Sequence, residues 1–546
     1  MDRLPLTCCQ ICGVGFTIGR HRTREEALAG TGTGPCDDFS RHSWNNSTGC
    51  QRGGCSVIDR SFRNYASQRT ICITWDSPDD SPGAATPSHI EPIPTLGNDS
   101  IAMWTMEHLA GPDCPCEGAY NGNFISAEEM LGCCTCQCLI PKPQFTIPEL
   151  DDADFESNSD FMLTGLSDNM PIRSRVGLFF PERHGLGSCI AANFFTSPDY
   201  AHLTGMPFHP TCLEVYKRAS MLRFGHVDME ALYHWYCLEA DFETFASFPR
   251  DEAVRRGTAW DHDPSIPQQW NHCRGDEALV ANPVFVPALP SILDNAACRG
   301  ASMSSLDEDA TDISSHDSNQ ASDIFAVLPY ELRFMVLSHL SPKDIATLRL
   351  ASHTFRQLPQ SFFRYLLRRE CPWLWEIWSD LKYSFWASEK PAPFTEDGIE
   401  WQEKRFNFEQ SIPVIGPGNS IPKPCSTSTR EGELPLPTPV YLLSREKTDW
   451  YRLYCDLTKN WGRLRGLQNR KRIWKDCQEI LYRIQRFKEA GIISPEINTT
   501  ETRRQTAERS ELALRINRAW HRYRMRRLPL QTFNWEEWAT DSEDEE

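Results

Sequence analysis

The stretch from Ile324 to Trp375 constrains this chain most, because it is strongly apolar and interrupted by prolines at short intervals. One amphipathic helix is predicted there by five apolar side chains that repeat at the helical period: Leu328, Leu332, Met335, Val336 and Leu340. Pro329 suits the first turn of that helix, since the N–H it lacks would have no intrahelical partner there. Glu331 would complement the positive end of the helix dipole.

A second helix start follows directly. Ser341 offers a hydroxyl cap, Pro342 stands at the first helical position, and Asp344 comes three residues after the cap. Pro359 opens a further helix, which we expect to stop near Cys371. Short helices this apolar cannot cover all their own leucines, and Leu337 and Leu350 lie off the predicted core faces. Surplus apolar surface of this kind usually marks a partner-binding site.

Four blocks of the stretch resemble the F-box family, namely residues 328–332, 336–340, 342–345 and 348–355. The resemblance implies an all-α domain that docks to the Skp adaptor of a cullin-based ubiquitin ligase. It implies adaptor contacts by nine residues: Leu328, Pro329, Glu331, Leu332, Leu337, Leu340, Ile345, Leu348 and Leu350. The apolar periodicity taken alone is also compatible with an ordinary helical core segment.

The chain holds 22 cysteines in 546 residues. Its start, MDRLPLTCCQICG, lacks the apolar core of a secretory signal, and no apolar run is long enough to cross a bilayer. We therefore expect no membrane association and a cytoplasmic or nuclear location, where thiols stay reduced. Under those conditions the cysteines are better explained as metal ligands or buried small residues than as disulfides.

Cys9 and Cys12 have the spacing of a zinc knuckle, with Gly13 completing the tight turn. One such pair is half of a structural zinc site. His209 and Cys212 are the best second pair, because they stand at the start of a helical pattern. We therefore predict a structural zinc ion on these four residues. A helix-capping histidine and a buried thiol are the alternative, and the long separation of the two pairs counts in its favour.

Six further cysteines cluster between Cys114 and Cys138. They predict a second zinc ion, with Cys133 and Cys138 as one pair, Cys114 as a third ligand, and His108 or Cys116 as the fourth. A flexible thiol-rich loop is the alternative. Residues 107–142 and 207–214 also resemble segments of large F-box proteins of filamentous fungi, which supports both zinc sites and implies no activity.

The predicted fold class is α+β: a cysteine-rich, zinc-stabilised N-terminal domain, then an all-α F-box and a helical C-terminal region. The predicted segments are a cysteine-rich domain with loop insertions (1–300), an acidic serine-rich linker (301–323), the F-box (324–375), a tryptophan-rich junction and proline-rich loop (376–440), a basic helical region (441–530) and an acidic tail (531–546).

Charge is unevenly distributed along the chain. The net charge is −18, yet residues 441–527 carry 22 Lys and Arg against 10 Asp and Glu. Basic amphipathic helices in this region would bind the acidic half of the same protein, calmodulin or nucleic acid. The part from Ile516 to Tyr523 resembles a degenerate calmodulin-binding motif.

No phosphate-binding glycine loop, GxSxG or HExxH motif occurs in the sequence. We therefore predict no catalytic residues. The predicted function is that of the substrate-recognition subunit of a Skp–cullin–F-box ubiquitin ligase, which binds the Skp adaptor, joins the cullin scaffold and recruits an unknown protein substrate. The alternative is a zinc-stabilised nucleic-acid-binding regulator that uses the basic C-terminal helices.

Overall fold

A computed structural model describes about half of the chain. The described residues are 8–16, 18–31, 53–59, 106–115, 119–142, 155–156, 159–166, 205–239, 248–257, 270, 272–299, 323–379, 381, 383–387, 443, 445 and 448–493. Nearly all of the predicted acidic linker, the part of the predicted basic helical region after residue 493 and the acidic tail lie outside them.

Helices and strands are both present, as the predicted fold class requires. The α-helices are α1 Arg24–Leu28, α2 Pro210–Phe224, α3 Met229–Glu239, α4 Glu252–Gly257, α5 Leu289–Arg299, α6 Tyr330–His339, α7 Pro342–Ala351, α8 Gln360–Glu370, α9 Trp450–Asn460 and α10 Arg465–Glu489. Single turns of 3₁₀ helix cover Ile324–Val327, His353–Phe355 and Trp375–Ile377, among others. None of the described helices combines the length and the apolarity that crossing a bilayer demands.

Among the described residues, the strands are short and lie in the N-terminal half of the chain. They are β1 Arg20–His21, β2 Ser56–Asp59, β3 Met106–Leu109, β4 Tyr120–Asn121, β5 Gln137–Pro141, β6 Phe161–Leu163 and β7 Met206–Phe208. β1 pairs with β4 in parallel, and β2 pairs with β3 in antiparallel register with Val57 opposite His108. β5 is the central strand of an antiparallel sheet, where Leu139 faces both Leu163 and Met206.

Contacts divide the chain into two compact units. The first comprises Met1–Asp228 and Pro249–Gln478, and α9 packs within it against α5 and α8. The second comprises Met229–Phe248 and Glu479–Glu546. In the second unit, Arg483 bonds Glu239 at 2.8 Å and its guanidinium lies 4.7 Å from the ring centroid of Phe248.

The apolar stripe of α10 follows the sequence closely. The sequence predicts an apolar stripe at the helical period that begins at Leu464 and Leu467 and ends at Gly491. Its side chains in α10 are all buried: Leu467, Ile473, Trp474, Cys477, Ile480, Leu481, Ile484 and Phe487. The predicted end at Gly491 is also present, since this glycine has a φ of 67°, a left-handed conformation that favours glycine after a helix. A 3.6-residue repeat of this length therefore identified both the helix and its buried face.

Candidate adaptor-binding surface and metal-ligand groups

The 324–375 segment begins at a carboxylate that ties two of its turns together. The side chain of Asp323 caps the first 3₁₀ turn by accepting from the Phe325 N–H at 3.0 Å. It also accepts from the Ser352 hydroxyl at 2.5 Å and from the Thr354 N–H at 2.9 Å. These bonds, that of Ser352 foremost, hold the pKa of Asp323 well below its usual range.

The interior of the segment is aromatic. Phe355, Phe362 and Leu366 are buried, and the ring of Phe334 meets Phe362 nearly edge-on at a centroid distance of 5.6 Å. At the start of α7, the Ser341 hydroxyl accepts from the Asp344 N–H at 3.2 Å, which confirms the predicted cap. The short helices are therefore fixed by local capping and by a small shared core.

A set of large apolar side chains on α6 and α7 faces solvent. Leu350 is 91% exposed and Leu332 is 45% exposed. Met335 and Val336 are exposed beside Leu332 on α6. We call Leu332, Met335, Val336 and Leu350 the exposed apolar set. An isolated exposed leucine is ordinary, whereas several on two consecutive helices indicate a surface that a partner covers.

The nine predicted adaptor contacts differ in their exposure. Pro329, Glu331, Leu332 and Leu350 are exposed, and Leu328, Leu340 and Leu348 are half-buried. Leu337 and Ile345 are buried. The sequence predicts that Leu332, Met335 and Val336 face the core of α6, but all three are exposed. Leu337, which the sequence places off that face, is buried.

The tryptophan-rich junction that follows is anchored in the first unit. Trp373, Trp375 and Trp386 are buried, as expected of core residues. Arg470 of α10 donates to the carboxylate of Glu376 at 2.7 Å, and both side chains are fully buried. The junction is therefore held by ionic as well as apolar contacts.

The predicted knuckle at Cys9 has the backbone geometry of a thiolate turn. The Gly13 N–H donates to the Cys9 carbonyl at 2.8 Å, and Gly13 has a φ of 76°. The Cys12 N–H points at the Cys9 Sγ at 3.4 Å, and the Val14 N–H points at the Cys12 Sγ at 3.5 Å. Both sulfurs thus receive backbone N–H groups, which favours the thiolate forms that bind metals.

His209 and Cys212 complete a four-residue group with this knuckle, as the sequence predicts. His209 is the N-cap residue of α2, and its Nδ1 lies 3.5 Å from the Cys12 Sγ and 3.7 Å from the Cys212 Sγ. The ligand atoms of Cys9, Cys12, His209 and Cys212 all lie within 4.8 Å of one another, and all four residues are buried. We call these residues the first ligand group.

The electrostatics of the first ligand group favour positive charge beside Cys9 and Cys12, whereas burial and the bond with Cys12 raise the pKa of Cys212 well above its usual value. Burial alone would lower the pKa of His209, but the adjacent Cys9 and Cys12 sulfurs raise it to about 10. Burial opposes ionisation of Cys12, yet its bonds to Cys212 and Cys9 hold its pKa well below the usual value. Three thiols and one imidazole are an established ligand set for structural zinc.

Cys8 stands apart, because burial raises its pKa to about 12 and its sulfur is not among the converging atoms.

Two arginines hold the knuckle in place. Arg250 donates to the carbonyls of Ile11 and Gln10 at 2.8 Å each, and Arg472 of α10 donates to the Cys12 carbonyl at 2.8 Å. Both arginines pair with the buried carboxylate of Asp476, at 3.3 and 3.2 Å. These bonds fix the knuckle against α10.

A second converging group differs from the prediction in its members. It consists of Cys55, His108 and Cys114, whose ligand atoms also lie within 4.8 Å of one another. Cys55 was not selected from the sequence, although its position directly after Gly53 and Gly54 was an available signal of a tight turn. Cys133 and Cys138 do not join this group; the Cys133 Sγ lies 3.8 Å from Cys134, and Cys138 is in β5. Cys116 is outside the described residues.

Basic residues of α10 are partly engaged within the protein. Arg470 and Arg472 are paired with carboxylates, and Arg465 lies 3.1 Å from Glu129. Lys471 and Lys475 are exposed. In the described part of the basic region, several arginines thus contact acidic residues of the same chain.

Comparison with known proteins identifies a family for the 324–375 segment. Residues 325–367 match the family model of the F-box domain. A stretch of 45 residues is 49% identical to the mitochondrial ATP-dependent RNA helicase mss116 of Aspergillus oryzae, covering 8% of this chain and 7% of that protein. Since most of both chains lies outside that match, the helicase name describes the relative alone. No solved structure matches the chain.

Proposed function

This chain is an F-box protein, and we propose that it is the substrate-recognition subunit of a Skp–cullin–F-box ubiquitin ligase. One observation carries the proposal: the segment that matches the F-box domain presents the exposed apolar set to solvent, with Leu350 91% exposed. The Skp adaptor would cover this surface, and the cullin scaffold would be reached through the adaptor.

The exposed apolar set suits a stable protein interface. Moving one leucine side chain from water into an apolar contact contributes about 1.5 to 3 kcal/mol. Leu332 and Leu350 together, with Met335 and Val336 beside Leu332, would therefore supply a large share of the binding free energy. The charged and hydroxyl side chains around them, such as Glu331 and Ser338, would form the polar rim that surrounds such contacts.

The protein itself would perform no chemistry in this role. F-box proteins are typically non-catalytic, and their contribution is to hold a target lysine close to a charged conjugating enzyme, which raises its effective concentration. The anchored junction at Trp375 suits this task, because a rigid connection fixes where a bound substrate stands. The substrate would be a protein, bound by the regions that flank the F-box, in the cytoplasm or the nucleus.

A structural zinc ion on Cys9, Cys12, His209 and Cys212 is part of the proposal. Four protein ligands leave no open coordination position, so the ion would stabilise the fold rather than activate water. It would join the knuckle to the first turn of α2. The surface that α2 and its neighbours present to a substrate would then depend on the metal.

The alternative role, a zinc-stabilised nucleic-acid-binding regulator, needs basic side chains that are available to phosphates. In the described part of the basic region, Arg470 and Arg472 are bound to Glu376 and Asp476 instead. This observation leads us to prefer the ligase role.

Co-expression of the full chain with the Skp adaptor tests the proposal. Native mass spectrometry of the purified material should give a one-to-one complex. A chain that purifies as a monomer beside abundant soluble adaptor would contradict the proposed function.

A further inference from the structure

A second group of side chains of the types that bind metals lies where β2 begins and β3 ends. Cys55 directly precedes β2, His108 lies on β3, and Cys114 follows β3 after a tight turn. The His108 Nε2 stands 3.7 Å from the Cys114 Sγ. His108 is fully buried, and Cys55 is buried beside it. Strand pairing thus brings Cys55 beside His108 and Cys114, which follow much later in the sequence.

Glycines allow the two loop ends to approach closely. A Cβ atom added to Gly111 would lie 2.1 Å from the Gly53 carbonyl oxygen, and one added to Gly53 would lie 2.7 Å from the Asp113 carbonyl oxygen. The Asp113 N–H donates to the Gly53 carbonyl at 3.3 Å. Only residues without side chains permit this contact, and the contact sets Cys55 and Cys114 side by side.

The sulfur of Cys55 lies in surroundings that favour a thiolate. The Gly111 N–H points at it at 3.4 Å. Two sulfurs and an imidazole nitrogen are soft and borderline ligands, and this set selects zinc over magnesium or calcium.

We propose that Cys55, His108 and Cys114 bind a second zinc ion, separate from the one proposed at Cys9. Zinc takes four ligands, so a water molecule completes the shell beside these three side chains. The ion joins the two ends of the long connection between β2 and β3, where a cross-link restricts the unfolded chain most. This inference does not depend on the ligase role, since it concerns the folding of the N-terminal region only.

The number of zinc ions per full-length chain tests the proposal, measured by native mass spectrometry after expression in zinc-containing medium. We expect two ions in the wild type and one in Cys55→Ser. Cys133→Ser is the matched control, because Cys133 is a buried cysteine of the same region that lies outside the group; it should keep two. Cys9→Ser should lose the first ion and keep the second.

A ligand exchange separates metal binding from a merely structural effect. His108→Cys replaces one zinc ligand by another and should retain two ions. In cobalt-substituted protein, this variant should increase the sulfur-to-cobalt charge-transfer absorption, because the site gains a thiolate. Two ions in Cys55→Ser would overturn the proposal, as would a wild type with a single ion that Cys9→Ser removes. Loss of an ion in Cys133→Ser but not in Cys55→Ser would also overturn the proposal, because it would show that the second ion binds the cysteines at 133–138.

Discussion

The guanidinium carbon of Arg470 lies 3.7 Å from the ring centroid of Trp375, and both side chains are completely buried. Arg470 also bonds Glu376 at 2.7 Å, and a second buried arginine, Arg218, lies 4.6 Å from the same ring. Arg218 is paired in turn with Glu214 at 2.6 Å. The residues just after the F-box are therefore held through two buried ion pairs.

Replacement of Arg470 by Met should destabilise the first unit strongly. The substitution leaves the Glu376 carboxylate buried without its partner, and breaking a buried pair in this way costs about 3 to 5 kcal/mol. Denaturant unfolding followed by tryptophan fluorescence would measure the change. The double variant Arg470→Met/Glu376→Gln should recover part of the loss, since no unpaired charge remains.

Lys475→Ala is the matched control for this experiment, because Lys475 is an exposed cation on the same helix. Its effect should stay within about 0.5 kcal/mol. A change of similar size in Arg470→Met would mean that the ion pair at Trp375 does not hold the junction.

Removal of the Asp323 carboxylate should loosen the start of the F-box in a pH-dependent manner. The pKa of Asp323 is lowered in the folded protein, so its ionised form stabilises the fold above the usual pKa of the group, and this contribution is lost as the pH falls through the lowered value. Asp323→Ala should therefore speed hydrogen exchange at the Phe325 and Thr354 amides at neutral pH.

The difference between wild type and Asp323→Ala should shrink as the pH is lowered from about 5, after correction for the intrinsic exchange rate. Asp294→Ala, at an exposed position of α5, provides the comparison and should leave both amides unchanged. Equal exchange in Asp323→Ala and wild type at neutral pH would refute the role of this cap.

Loss of the proposed zinc ion at the knuckle should depend on which neighbouring cysteine is replaced. Cys12→Ser removes a ligand, so it should lower the zinc content by one and lower the thermal unfolding midpoint, since metal binding contributes to folding. Cys8→Ser should retain the full zinc content, because Cys8 lies outside the first ligand group. Identical zinc contents in the two variants would argue against a metal at this position.

The long helix α10 and the first ligand group could be predicted from the sequence, for physical reasons that the two share. Eight buried positions of α10 repeat at one period over many turns, so the buried face is unambiguous. Cys9 and Cys12 have a spacing that few other structures require, and His209 and Cys212 stand one helical turn apart. In both cases the signal is local and repeated.

The buried face of α6 could not be predicted in the same way. The ten-residue helix carries apolar side chains on more than one side. Helical periodicity therefore allows Leu332, Met335 and Val336 to form the buried face as readily as the side that holds Leu337, which is the one buried in the structure. Which side is buried depends on α8, where Phe362 and Leu366 form the core. A domain with apolar side chains on both its buried and its exposed faces lacks the contrast between polar and apolar faces on which such a prediction depends.

Two members of the second ligand group, His108 and Cys114, are among the predicted zinc ligands, whereas Cys55 is not, because it reaches them only by strand pairing. Cys55 is far from His108 in the sequence, and only the antiparallel register of β2 and β3 brings them together. The sequence favours Cys133 and Cys138 as ligands because they are close to Cys114 along the chain. Closeness along the chain does not predict which cysteine lies beside Cys114, since contacts within a sheet join residues that are distant in sequence.

The affinity for the Skp adaptor should be measured for a variant of the exposed apolar set, because the proposed ligase role depends on this surface. Leu332→Asp/Leu350→Asp places two charges at exposed positions, so folding should be little affected, while adaptor binding should weaken at least about 100-fold, or about 3 kcal/mol. Leu222→Asp changes a leucine of α2 that is 54% exposed and lies outside the F-box, and this variant should bind like wild type. Calorimetry with the full chain would measure all three affinities. Undiminished binding by the double variant, with its fold intact by circular dichroism, would contradict the account of this surface.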